Sequence, residues 1–313
     1  MKSVPLHSLN FGLLKRLLFL IFFTGFLFNN FTNAQTRGII FEPATNSAGR
    51  AVLDPDGNGF VSMASTGFSA SVQGSPGDDV PEFEMAFMPF PTIGSGEKLS
   101  DIRSGPDEGF TDFSVTDNGE ATYYYYDGTN LIFRFRLADY RPNAKGYTVL
   151  LDTDDLFGFG IDPEYSSDNP GFEIAIVLKN KNDVFVYNVN SLSPGCLNDN
   201  EAKLSYTGGT HHQKSISGIE DDDDLDYFYD FYVPISALTS TALGGVEITA
   251  STNLRMTATT NTSNSYFFCG SVSDIGGVDD DDFGDCTTCI FEELIDCQVG
   301  DNLANLTSNG YSS

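Results

Sequence analysis

The chain of 313 residues is poor in positive charge, with 16 Lys and Arg against 44 Asp and Glu and a net charge of −28. Nucleic acid is excluded as a partner, because binding it requires a basic face. The same imbalance argues against an anionic membrane surface and fits a solvated module in a salt- and cation-rich medium. Histidine is nearly absent: His211 and His212 sit side by side in a polar stretch, and His7 lies near the start. With no Gly-x-Ser-x-Gly elbow either, Ser-His-Asp catalysis has no foothold. No phosphate-cradling glycine loop is found, and tryptophan is missing altogether. Apolar stripes at helical spacing are scarce. Past residue 28 no segment is apolar enough for a membrane helix.

The N-terminus reads as a signal peptide. Lys15 and Arg16 precede the 12-residue apolar run Leu17 to Phe28, and Thr32-Asn33-Ala34 supplies small residues for cleavage before Gln35. Twelve residues are too few to span a bilayer core of about 30 Å. The residue at the cleavage point is Gln35 rather than cysteine, which argues against an acylated lipoprotein. Removing this segment takes away three positive charges and moves the net charge to −31. The expectation is a secreted or cell-surface protein with no membrane insertion after signal removal.

All five cysteines, Cys196, Cys269, Cys286, Cys289 and Cys297, follow that point. Export favours disulfides over free thiols. Cys286-x-x-Cys289 lacks the second pair or nearby histidines that zinc requires. A Cys196–Cys269 bridge would contribute roughly 4 kcal/mol in the chain-entropy picture, but spacing does not fix the pairing. The odd count leaves one thiol unpaired or joined to a partner outside the chain. With the polar end Leu303 to Ser313, it points either to the N-terminal piece of a longer protein or to a frayed natural terminus.

The rest of the chain divides into a loop-rich lead-in at 35–114, a strand-rich module at 115–275 and an acidic, cysteine-bearing linker at 276–313. Strand signals dominate the module. Ala121 to Tyr126 and Leu131 to Ala138 flank Asp127-Gly128-Thr129-Asn130, a hairpin signature. Apolar and basic residues alternate from Ile132 to Leu137, so one face is buried and the other meets solvent or an acidic neighbour. Further strands are predicted at Gly146 to Leu151, Gly171 to Leu178, Val184 to Val189, Tyr227 to Val233, Val246 to Thr252 and Leu254 to Thr260. Short helical segments are predicted near Pro234 to Leu238 and Cys289 to Ile295. The spacing is that of an all-β antiparallel sandwich, jelly-roll or immunoglobulin-like.

The acid is clustered in loops. Asp54-Pro55-Asp56-Gly57-Asn58-Gly59 matches the first half of an EF-hand-type loop, with oxygen ligands at positions 1, 3 and 5 and Gly59 at the sharp turn. Ser65 occupies the position of the usual bidentate Glu, so Asp54, Asp56 and Asn58 would need ligands from elsewhere; an Asx-rich turn is the alternative. Asp152-Thr153-Asp154-Asp155 follows the apolar strand Tyr147 to Leu151. Alternation puts Asp152 and Asp154 on one side, and Asp162 can fold back toward them after Phe157 to Ile161. Such grouped carboxylates repel one another unless a hard cation offsets them, and Ca²⁺ is the expected ion; a solvated strand end is the alternative. Asp221 to Asp224 and Asp279 to Asp282 read as solvated runs. Glycoside hydrolysis needs two acids in contrasting environments, which acid on polar loops does not offer. In Tyr123, Tyr124, Tyr125 and Tyr126 two rings face inward and two outward. The outward pair would stack on sugar, meet a neighbouring domain, or pair across strands on the sheet face.

Taken together, Tyr147 to Asp154, Pro170 to Ile176, Val184 to Tyr187, Tyr229 to Ile235 and Leu254 to Ala258 resemble the β-sandwich of family 9 carbohydrate-binding modules and DOMON-type domains. The lead-in with Asp54 to Gly59 is similar to the N-terminal regions of large surface proteins exported by the type IX pathway of gliding-type Gram-negative bacteria. The resemblance implies adhesion, surface display or polysaccharide capture, with an extracellular glycan or neighbouring protein domains as partners. Sugar-binding members hold their ligand between tryptophans, which this chain lacks, so Ca²⁺ binding and a structural role carry further. The expected function is a non-enzymatic, Ca²⁺-stabilised surface module. The alternatives are a carbohydrate-binding module that uses tyrosines and a polysaccharide hydrolase.

Overall fold

In a computed structural model, two antiparallel sheets pack face to face. The structure describes residues 38–61, 85, 87–115, 119–140, 145–166, 169–179, 182–190, 202–219, 225–239, 241–263, 272–282, 287–296 and 300–308. The predicted signal peptide, the Asp221 to Asp224 run, Cys196, Cys269, Cys286 and Cys297 lie outside these residues, as does the side chain of Cys289.

The strands are β1 (Ile40–Glu42), β2 (Met88–Pro89), β3 (Thr122–Tyr126), β4 (Asn130–Leu137), β5 (Gly146–Asp152), β6 (Ile174–Lys179), β7 (Asp183–Asn188), β8 (Leu204–Tyr206), β9 (His212–Ile219), β10 (Leu225–Pro234), β11 (Asn253–Asn261), β12 (Val272–Ile275) and β13 (Asp301–Asn302). The first sheet runs β1-β9-β10-β4-β3-β2, and the second β12-β11-β5-β6-β7-β8, with β13 on β11. Helices are short: α1 (Ser47–Leu53), α2 (Thr287–Asp296) and α3 (Leu303–Ser308). None of the described helices is long and apolar enough to cross a membrane.

The β3–β4 hairpin forms at its local signature. Asp127 Oδ1 accepts from the Thr129 and Asn130 amides at 2.7 and 2.6 Å, and Gly128 takes the positive φ of 91° that a side chain resists. Alternation then sorts the residues. Phe133 and Phe135 of β4 and Phe231 and Val233 of β10 point between the sheets, against Val149, Leu151, Ile176, Val186 and Met256. Ring pairs at 5.4 Å (Phe133–Phe231) and 4.8 Å (Tyr147–Tyr229) fill that layer.

Both outer faces are also covered, which explains why every residue of β4, β5 and β6 is buried. On the second sheet, Ile290, Phe291, Leu294 and Ile295 of α2 pack on Leu150, Ala175, Val177 and Tyr187. On the first sheet the lead-in lays Leu53, Met85 and Phe87 over Tyr123, Ile132 and Tyr232. The polar half of β4 is thereby buried as well. Arg134 meets Asp230 on β10, and Arg136 meets Asp226.

Elsewhere sequence and structure part. Val246 to Thr252 is irregular rather than extended, although Val246 and Ile248 still enter the core. Strand β9 was not predicted. Its Gln213, Lys214, Ser215 and Ser217 are buried polar residues, so no hydrophobic alternation marks it.

Candidate metal centre

The strand ends of the second sheet gather one acidic group. Asp152 closes β5, Asp154 lies two residues beyond, and Glu173 precedes β6. The register pairing Leu150 with Ala175 and Leu151 with Ile174 brings Glu173 level with Asp152. One carboxylate oxygen from each of Asp152, Asp154 and Glu173 falls within 4.8 Å of the others. Asp152 and Glu173 are buried and Asp154 is exposed.

Each acid is oriented by its own turn. Asp152 Oδ1 accepts from the Asp154 and Asp155 amides, both at 3.1 Å. Glu173 Oε2 accepts from the Thr153 amide at 2.6 Å and its hydroxyl at 3.0 Å. Arg255, opposite Asp152 on β11, forms an ion pair with Asp152 Oδ2. Burial raises Asp152 to about 6 despite that cation. Glu173 rises to about 8, by burial first, with the charges of Asp152 and Asp154 adding to it. Asp162 is pushed up chiefly by burial and further by the charge of Asp154, and its Oδ1 accepts from the Glu164 amide at 2.6 Å.

The Asp54 to Gly59 loop stands apart: among the described residues, neither acidic group with converging oxygens includes Asp54 or Asp56. Asp54 is buried at the C-terminal end of α1, where Arg50 pairs with it at 2.7 Å. Asp56 accepts from the amide and side chain of Asn58, both at 2.9 Å, and Asn58 Oδ1 accepts from the Phe60 amide at 2.7 Å. The loop is thus laced by Asx turns.

The four tyrosines divide between faces. Tyr124 and Tyr126 pack on the inter-sheet core. Tyr123 and Tyr125 turn outward, beneath the Leu53, Met85 and Phe87 cover. Tyr123 is buried and the other three are half-buried.

Glu173 was missed because it stands alone in Gly171-Phe172-Glu173-Ile174; only the β5–β6 register brings it to Asp152. A second group, Glu97, Asp101 and Asp274, is drawn from two segments far apart in the chain and carries no mark in the sequence. Neither His211 nor His212 sits beside these acids in a titrating role. His211 is stacked between Tyr206 and Tyr232, with ring centroids at 3.9 and 4.4 Å, and burial lowers both His211 and His212 to about 4. Compared with family models, curated proteins and solved structures, the chain matches none.

Proposed function

We propose that the chain is an exported, non-enzymatic β-sandwich module whose acidic strand ends take Ca²⁺, and that it serves adhesion or display within a larger extracellular protein. The observation that carries this reading is the convergence of Asp152, Asp154 and Glu173 oxygens within 4.8 Å. Ca²⁺ takes carboxylate oxygens at 2.3–2.6 Å, so oxygens across one ion lie up to about 5 Å apart. Asp152 and Glu173 ride on paired strands, so an ion there would tie the β5 turn to the edge of β6 and stiffen that end of the sandwich. The net charge of −28 suits a surface that works in a cation-rich medium.

A hydrolase would need a carboxyl free to reach substrate, whereas Glu173 is turned to Thr153 and Asp152 to Arg255. A tyrosine platform for sugar would need exposed rings, whereas Tyr123 and Tyr125 lie under the lead-in.

The test is thermal unfolding of the chain from Gln35, in EDTA and then with Ca²⁺ titrated to about 10 mM, using Mg²⁺ as control. Extracellular sites bind at roughly 10⁻⁴ to 10⁻³ M, which at that concentration corresponds to about 1.4–2.7 kcal/mol of stabilisation. A Ca²⁺-specific rise in midpoint supports the reading. No rise, or the same rise with Mg²⁺, removes it.

A further inference from the structure

The second acidic group lies between the lead-in and the edge of the second sheet. Glu97 and Asp101 belong to the loop after β2, Asp274 lies on β12, and Asp280 opens the 3-10 turn Asp280–Asp282. All four are buried, with exposures of 2, 4, 0 and 3%. Oxygens of Glu97, Asp101 and Asp274 come within 4.8 Å of one another.

Three of these carboxylates are held in the same way. Glu97 Oε2 accepts from the Gly277 amide at 2.7 Å, Asp101 Oδ2 from the Asp280 amide at 3.3 Å, and Asp274 Oδ2 from the Phe113 amide at 2.6 Å. One oxygen of each is thereby fixed by backbone. The other, Glu97 Oε1, Asp101 Oδ1 and Asp274 Oδ1, has no hydrogen-bond partner among the described residues. A buried acceptor without a partner carries its full desolvation penalty, and a buried charge carries more.

Counter-charge from the protein is sparse here. Lys98 pairs with Asp279, and Arg103 acts on Asp280, while Asp112 and Asp279 add two more acids. Burial, reinforced by the mutual repulsion of these acids, pushes Glu97 and Asp274 well above the usual carboxylate range.

We infer that Glu97, Asp101 and Asp274, with Asp280 beside them, form a buried Ca²⁺ site that clasps the lead-in loop onto β12. The ligand set is all carboxylate oxygen, which selects a hard cation and disfavours zinc. Oxygens within 4.8 Å of one another can share one ion at the Ca²⁺–oxygen distance of about 2.3–2.6 Å. Backbone already stitches the same seam: Arg103 N donates to Ser273 O at 2.7 Å and Ile93 N to Gly277 O at 2.9 Å. The ion would hold together segments some 180 residues apart in the chain. The site is separate from Asp152, Asp154 and Glu173, and shares with the proposed function only the identity of the ion.

The experiment is equilibrium dialysis of the full mature chain against radioactive Ca²⁺ after EDTA treatment, with unfolding midpoints measured in parallel. Three proteins are compared: wild type, Glu97→Gln/Asp274→Asn, and Asp152→Asn/Asp154→Asn. Both amides of the first variant keep an oxygen for the Gly277 and Phe113 amides. That variant should bind one Ca²⁺ fewer than wild type, yet unfold at a higher midpoint in EDTA, because the cost of burying or protonating two carboxylates is removed. A merely structural role for the acids predicts a lower midpoint in EDTA instead. If it binds as many ions as wild type and keeps the full Ca²⁺ response, the buried site is overturned. The outer site then still stands if Asp152→Asn/Asp154→Asn loses an ion. If only the outer variant is unaffected, the buried site stands and the Asp152 centre fails. Absence of Ca²⁺ binding to wild type overturns both.

Discussion

Arg134 Nε and Nη2 donate to Asp230 Oδ1 and Oδ2 at 2.7 and 2.6 Å, directly across the β4–β10 pair, and neither side chain is exposed. The guanidinium lies between the rings of Phe87 and Phe228, at 4.6 and 4.4 Å from their centroids. Gln213 Nε2 bridges Asp230 Oδ2 and the Leu53 carbonyl at 3.0 and 2.8 Å. This network fastens the lead-in to the sandwich. Removing one partner of a buried pair strands the other charge, so Asp230→Ala should destabilise by about 3–5 kcal/mol. Urea denaturation at fixed pH measures this. A loss under about 1 kcal/mol would mean that the pair is hydrated in solution.

Stability without metal should fall as pH rises through neutrality. Burial holds Glu173 and Asp280 up at about 8 and Asp112 at about 7. The folded chain therefore keeps protons that the unfolded chain, with carboxylates near pKa 4, has released; the stability difference is regained on acidification. His211 and His212 act oppositely, because their lowered values near 4 let the unfolded chain bind protons first below about pH 6.5. The clean window is thus about pH 6.5 to 8. In EDTA the urea midpoint should be higher at 6.5 than at 8. Saturating Ca²⁺, which requires the deprotonated ligands, should flatten or invert that slope. A midpoint in EDTA that climbs with pH across this window contradicts the assignment.

Tyr123 is 2% exposed and packs with Leu53, Met85 and Phe87. Tyr123→Ala should therefore lower stability by about 3 kcal/mol, in the range for emptying a buried aromatic site, while Tyr126→Ala, half-buried, should lower it less. Chemical denaturation of both variants checks the order. An unchanged midpoint for Tyr123→Ala together with lost binding on a glycan array would instead favour the tyrosine-based sugar reading.

Gly277 adopts φ +94°, and a Cβ there would meet the Pro91 carbonyl at 2.5 Å. Both partners are backbone, so nothing flexible can yield. Gly277→Ala should destabilise by more than about 1 kcal/mol and loosen the seam that holds Glu97. Hydrogen exchange at the Ile93 and Gly277 amides reports it directly: faster exchange at both is expected, and unchanged protection speaks against the seam.

The strands, the Asp127 hairpin and the short helix after Cys289 were legible because each is written in local periodicity or a local turn residue. The all-β class followed from that pattern alone, as did the acidic β5 turn at Asp152 and Asp154, since neighbours in sequence stay neighbours in a turn. Other features had no local mark. Strand β9 is polar along much of its length, and of the two expectations for Arg134 and Arg136, solvent or an acidic neighbour, only strand pairing selects the acids Asp230 and Asp226. Glu173 reaches Asp152 only through strand register. Runs of Asp drew attention in the sequence, yet the loop acids Glu97 and Asp101 meet Asp274 from a distant strand, because burying charge together takes long-range packing to exclude the water. The sequence by itself determined the class and the abundance of acid. The tertiary structure decided which carboxylates share a site, since strand pairing and layer packing, not spacing along the chain, set the distances between them.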